Sequence, residues 1–340
     1  MLISTKSINL LSDNIRVSSE TFCSGLFLSA RWFVVSQLDY DGFQMIVLPD
    51  KDSAEYCAAD LYNLVEGDRI FFLPDSGKTL ERSNYKSTLG VQRTSAIGKI
   101  LEYEEGKLIV VTYPSALEEG IPDGKAINES VLHLTVGDEI SHERIVETMF
   151  ENGFEKVDFV AEPGQFAIRG AIVDIFSYSY NDPFRISFFG DEIDSISVFD
   201  CNTQLSKEKI HKAQIYPDIT LSEDESGLVN ISDILPDDAL IWLDSSDMYR
   251  NKDFYSGFDR FRRIYMELPL SRQNEEAVKF NIAPQPVFNK NFELLTEDIR
   301  KSLESGYRVR IYGEKQSQLD RLKSILSQNG GLLPEFISGC

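Results

Sequence analysis

The sequence predicts an α/β protein in which a parallel-sheet domain, formed by two segments of the chain, carries an inserted α+β domain with an antiparallel sheet. Three observations predict it. From Ser29 to Leu117, helical and strand patterns alternate, which argues for parallel strands covered on both faces. From Val157 to Asp200, three runs of β-branched and aromatic residues are divided by Pro163-Gly164, Asn181-Asp182-Pro183 and Gly190-Asp191, the pattern of an antiparallel meander. After Asp218 the helix–strand alternation returns. The predicted division is 1–118, 119–216 and 217–340, with the middle segment as the insertion.

Taken in order, Leu28 to Leu38 is apolar and of helical length, and Phe43 to Leu48 is a short buried strand closed by Pro49-Asp50. A helix begins at Asp52, with Glu55 three residues on as a capping box and Ala54, Ala58, Leu61, Leu64 and Val65 as its apolar stripe. Gly67 stops it. A strand at Arg69 to Leu73, a helix around Ser95 to Tyr103 and a strand at Lys107 to Thr112 follow. Residues 118–130 are polar and turn-rich and mark a boundary.

The insertion opens with a strand at Val131 to Val136 and a helix from Ser141 to about Asn152, whose inward stripe is Ile145, Val146, Met149 and Phe150. The meander then runs to about Gln204, and Ile215-Tyr216-Pro217 closes the insertion. Beyond it come a strand at Ala239 to Leu243 and a mostly exposed, arginine-bearing helix from Met248 to Met266. Gln285-Pro286 breaks the chain before a helix at Glu293 to Ser305. A strand at Tyr307 to Tyr312 and an amphipathic helix at Gln316 to Leu326 complete the series, with Gly330-Gly331 ending that helix.

The third run of the meander carries the functional signal. Phe184, Ile186 and Phe188 alternate with Arg185, Ser187 and Phe189, so the apolar set takes the core face and the second set points outward. Gly190 suits the tight hairpin that follows, because it accepts a positive φ. Arg169, from the neighbouring strand, joins the outward set if the register allows. Arginine and aromatic residues on a solvated face are the types enriched at interface hot spots. A plain solvated strand face with one incidental phenylalanine is the competing interpretation.

Composition excludes several classes. The 340 residues are 42% hydrophobic and 26% charged, a globular balance long enough for two or three domains. The net charge of −21 opposes whole-chain steering onto nucleic acid. No run is long enough to span a bilayer and the first residues lack a signal-peptide pattern, so a cytoplasmic location is expected. Cys23, Cys57, Cys201 and Cys340 form no CxxC pair, and His133, His142 and His211 have no ligand spacing, so neither metal nor cofactor is expected. Gly77-Lys78-Thr79 imitates the end of a phosphate loop, but Phe72 stands where the earlier glycine belongs and Pro74 interrupts the approach.

The stretches EPGQFAIRGAIVDIF and PFRISFFGDEIDSISVFD resemble the domain shared by the bacterial transcription-repair coupling factor (Mfd) and the excinuclease subunit UvrB. PQPVFNKNFELL and SGYRVRIYGEKQSQLDRLKSIL extend the resemblance, which is strongest at 150–217 and weaker over the first 25 residues. It implies a non-enzymatic module that binds UvrA through Arg169, Arg185 and Phe189. It implies a degenerate nucleotide site at Gly25-Leu26-Phe27-Leu28-Ser29-Ala30-Arg31-Trp32, where bulky side chains replace the glycines and no lysine follows. The segment PDSGKTLERSNYKSTLGVQRTS has one tyrosine, unlike the tyrosine-rich DNA hairpin of UvrB, and so sides with the coupling factor. The same resemblance implies an N-terminal fragment of a longer protein, whose RNA polymerase contacts, double-stranded DNA contacts and ATP-driven translocase motor lie elsewhere. A C-terminal domain of that protein would mask the UvrA-binding face. The alternative is an ATP-dependent, nucleic-acid-binding, helicase-like domain related to UvrB. Arg169 also has a rival structural role, packing beside Gly170 or pairing with Asp174 or Glu162.

Overall fold

A computed structural model describes residues 5–67, 69–77, 84–180, 182–221, 227–282, 286–313, 315–328 and 333–338. The first segment contains α1 (Thr5–Val17), β1 (Glu20–Ser24), α2 (Ala30–Gln37), β2 (Phe43–Val47), α3 (Lys51–Leu64), β3 (Ile70–Phe72), α4 (Asn84–Leu101), β4 (Leu108–Thr112) and α5 (Pro114–Glu118). The middle segment adds β5 (Ile121–Pro122), α6 (Gly124–Ser130), β6 (Leu132–Thr135), α7 (His142–Glu151), β7 (Glu155–Lys156), β8 (Gln165–Arg169), β9 (Ile172–Ile175), β10 (Phe184–Phe189), β11 (Glu192–Phe199), β12 (Ser206–Ile210) and β13 (Lys212–Ile215). The last segment holds β14 (Leu228–Val229), β15 (Leu240–Leu243), β16 (Arg262–Tyr265), β17 (Ala277–Lys279), α8 (Phe292–Glu304), β18 (Arg310–Gly313), α9 (Gln316–Gln328) and β19 (Glu335–Ser338).

Strands from both ends of the chain build one sheet of seven, ordered β17-β1-β16-β15-β2-β4-β3, and each of its pairings is parallel. The α/β expectation, with its insertion, is met. Every residue of β2, β4 and β15 is buried, as befits strands covered on both faces. Alternate residues feed two cores. Ile46, Ile109, Val111, Leu240 and Trp242 pack with α2 and α3 on one face, while Met45, Val47, Val110, Ile241 and Leu243 pack with Ala96, Ile97 and Ile100 of α4 on the other. Two buried polar residues interrupt these strands: Gln44 Oε1 accepts from Trp242 Nε1 at 2.9 Å while its Nε2 has no partner among the described residues, and Thr112 Oγ1 donates to the Leu73 carbonyl at 2.9 Å.

The insertion contains a six-stranded sheet, β12-β11-β10-β9-β8-β7, antiparallel from β8 to β12. Its inner face packs Phe166, Val173, Ile175, Phe184, Ile186 and Phe188 against Ile145 and Met149 of α7. Gly190 takes φ +66°, as the β10–β11 hairpin requires.

Several sequence expectations are corrected. The exposed helix at Met248 to Met266 is instead a pair of 3₁₀ turns, Ser246–Met248 and Asp253–Phe258, followed by β16. Tyr249, Phe254, Phe258 and Phe261 are buried there, and a Cβ on Gly257 would sit 2.2 Å from Ser232 Oγ. Pairing of β16 between β15 and β1 outweighs local helical periodicity. The α3 cap is Asp50, which accepts from the Ser53 N–H at 2.8 Å, rather than Asp52. α4 begins earlier than Ser95 and ends at Leu101. β18 covers Arg310–Gly313 and pairs with β19 in a sheet of its own. Lys78, Thr79, Asn181, Gln285, Gly330 and Gly331 lie outside the described residues.

Candidate interaction face of the inserted sheet

Register decides which outward side chains meet. Arg185 lies opposite Asp174, which lies opposite Ala167, so these three form one row across β10, β9 and β8. The next row is Arg169, Ile172 and Ser187. Side chains two apart on a strand share a face, so Arg169, Arg185 and Phe189 all lie on the outer face. The hairpins β8–β9 and β10–β11 turn at the same end of the sheet, where the Phe188 N–H donates to the Ala171 carbonyl at 2.9 Å.

This face is not uniformly open. At its far end, Val160, Ala167, Phe176 and Phe199 form a small core with Val157, because the chain between β7 and β8 folds over it. At the hairpin end, Phe189 is 82% exposed. Between them lies the Asp174 carboxylate, buried beneath two guanidinium groups. Arg185 grips it from two atoms, Nε to Oδ1 at 2.7 Å and Nη2 to Oδ2 at 3.0 Å. Its Nη1 donates to the Gln204 carbonyl at 3.1 Å, and its guanidinium carbon stands 4.3 Å over the Phe199 ring centroid. The hydrogen bonds to Asp174 hold the Arg185 pKa above its ordinary value, against the lowering by burial. Arg169 donates to Asp174 through Nη2 and lies 5.2 Å over the ring of Phe159.

Arg185 therefore shares the outward face without being freely solvated, since its side chain is 19% exposed. The structural role weighed for Arg169, pairing with Asp174, is present, and a third of that side chain still reaches solvent. Asp174 is the residue whose reach sequence reasoning missed: AIVDIF shows a lone charge in an apolar run, but only register places it beside both arginines. Phe159, Phe199 and Gln204 likewise carry no periodic signal.

The crevice at the C-terminal ends of the parallel strands was the second place singled out. After β1, Leu26 turns inward and is buried, while Leu28 adopts φ +54° and is exposed. Arg31, in the first turn of α2, pairs with Asp244 just beyond β15 and donates through Nε to the Leu26 carbonyl at 3.3 Å. Burial raises the Asp244 carboxyl above its ordinary value despite the opposing pull of Arg31. Among the described residues no group of three or more His, Cys, Asp or Glu side chains could hold a metal ion. No described helix is long and apolar enough to cross a membrane.

Residues 132–220 match the family described as the UvrB interaction domain. The transcription-repair-coupling factor of Bacillus subtilis is 29% identical over 213 residues, covering 62% of this chain and 18% of that protein. That of Mycobacterium tuberculosis is 33% identical over 190 residues, covering 54% of this chain and 15% of the relative. UvrABC system protein B of Francisella tularensis is 35% identical over 126 residues, covering 37% of this chain and 18% of the relative. The matched part of this chain thus spans less than a fifth of the length of each. The match encloses the sheet that bears Arg169, Asp174, Arg185 and Phe189, so that sheet lies in the part of this chain similar to the UvrB interaction domain, within a longer stretch similar to the transcription-repair-coupling factors.

Proposed function

We propose that this chain is a non-enzymatic recruiting module for DNA repair, and that residues 119–216, framed by 1–118 and 217–340, bind UvrA through Arg169, Arg185 and Phe189. The observation that carries the reading is the open end of the outer sheet face, where an almost fully exposed phenylalanine shares the face with Arg169, two strands away, inside the matched domain. Phe189 supplies apolar area at little cost in side-chain entropy, because an aromatic ring has only two rotatable bonds. Arg169 supplies directional donors for a partner carboxylate or carbonyl. Arg185 has spent three N–H groups on Asp174 and Gln204, leaving two of the five an arginine carries and a mainly positioning share of the contact.

In this reading RNA polymerase and double-stranded DNA are contacted by other regions of a longer protein, and a C-terminal domain there masks this face. The nucleotide site is degenerate in this reading, because Leu26 is buried after β1, no lysine follows it, and Arg31 is paired with Asp244. A helicase-like domain that binds ATP is the competing reading, and the missing lysine and the paired Arg31 count against it.

Titration calorimetry of the chain against cognate UvrA decides between them. Saturable binding is expected, with Arg169→Ala and Phe189→Ala each weakening it by about thirtyfold, as hot-spot truncation near 2 kcal/mol gives. Arg185→Ala is checked for folding first, since it also strips Asp174 of a partner. MgATP titrated into the same cell is expected to give no saturable heat. Absence of UvrA binding by the parent chain, or full binding by both Arg169→Ala and Phe189→Ala, removes the assignment.

A further inference from the structure

Resting on that reading, we infer that Phe159 is a fourth contact residue of the partner surface, acting beside Arg169 and Phe189. Its ring is 64% exposed, yet its loop is fastened on both sides. The Val157 N–H donates to the Phe166 carbonyl at 2.9 Å, tying the start of the loop to β8. The Ala161 and Glu162 N–H groups donate to Gln165 Oε1 at 2.9 and 3.0 Å, and Gln204 Nε2 donates to the Val160 carbonyl at 3.3 Å. Val157 and Val160 turn into the small outer core while Phe159, between them, turns away from it.

A large ring held outward on an anchored segment loses little freedom on binding, the condition under which apolar contact is turned into affinity most efficiently. The ring also lies over the Arg169 guanidinium, which restrains that planar group while its donors other than Nη2, which Asp174 takes, remain to meet an acceptor. Phe189 lies at the same end of the sheet, two strands across and two residues along from Arg169, a backbone spacing of about 12 Å. The three side chains thus form one strip, ring, guanidinium, ring, well within the span of a single protein–protein contact. The fitting partner surface presents an apolar hollow for each ring with a carboxylate or carbonyl between them.

The test is UvrA binding by Phe159→Ala, measured beside Phe189→Ala and in an Arg169→Ala background, with thermal midpoints recorded for each. Phe159→Ala is expected to keep the parent midpoint and weaken binding about tenfold, and to weaken the Arg169→Ala chain further by a similar factor, because a direct contact survives loss of its neighbour. Parent-like binding by Phe159→Ala, while Phe189→Ala is impaired, overturns this inference and leaves the assignment of the face intact. A loss seen only when Arg169 is present also overturns it, since Phe159 would then act through the guanidinium alone. If Phe189→Ala and Arg169→Ala are silent as well, the face itself fails and Phe159 with it.

Discussion

The Asp174 carboxylate has no exposed surface and accepts from two arginines at once. Removing it strands a guanidinium, Arg185, that cannot swing freely into water because Gln204 and Phe199 hold it. Breaking a buried pair from one side costs more than the pair itself contributes, since the remaining charge keeps its desolvation penalty. Asp174→Ala is therefore expected to lower the free energy of unfolding by about 3 kcal/mol, the lower end of the usual range, because Arg169 is partly solvated and can recover some hydration. Urea denaturation measures it, and a loss below about 1 kcal/mol would make this an ordinary surface ion pair. Arg185 and Phe189 were legible from alternation along FRISFF. Asp174 was legible only as one candidate partner of Arg169, and its grip on Arg185 was not, because residues 169, 174 and 185 meet through the register of three strands.

At the scale of elements, local signals worked where chemistry is local. The meander, the β10–β11 turn at Gly190 and the inward Ile145 and Met149 of α7 follow from residue spacing, whereas Phe150, expected inward with them, is exposed. The α3 cap was misplaced by two residues, since Asp50 and Asp52 both precede the helical run and only backbone geometry selects the extended one. Asp50→Ala is expected to destabilise the fold by about 1 kcal/mol, read from the shift in denaturant midpoint, whereas Asp52→Ala should cost a few tenths. Equal effects at both positions would refute the reassigned cap. β12, with the sequence SKEKI, was missed because an exposed edge strand needs no apolar alternation. β16 was misread because its identity comes from the gap between β15 and β1 that it fills.

Across the whole molecule, the parallel sheet is closed by segments distant in sequence, and Arg31–Asp244 joins them over 213 residues. Burial raises Asp244 above the ordinary aspartate value of 3.8, so between that value and the native one the folded chain holds a proton that the unfolded chain has released. Stability from this group is present at low pH and declines as pH rises through that window. The thermal midpoint of the parent chain, relative to Asp244→Asn, is expected to fall as pH rises from 3.8 through the raised native value. A relative midpoint that climbs over this range would show that Arg31 outweighs burial. By itself the sequence determined the α/β class, the insertion, the outward Arg185/Phe189 alternation and the family resemblance, because each depends on order and spacing along the chain. Tertiary structure alone decided that Asp174 binds both arginines, that Phe159 stands beside Arg169, and that Arg31 reaches Asp244. Those contacts depend on strand register and loop packing, which bring together residues that no periodicity connects.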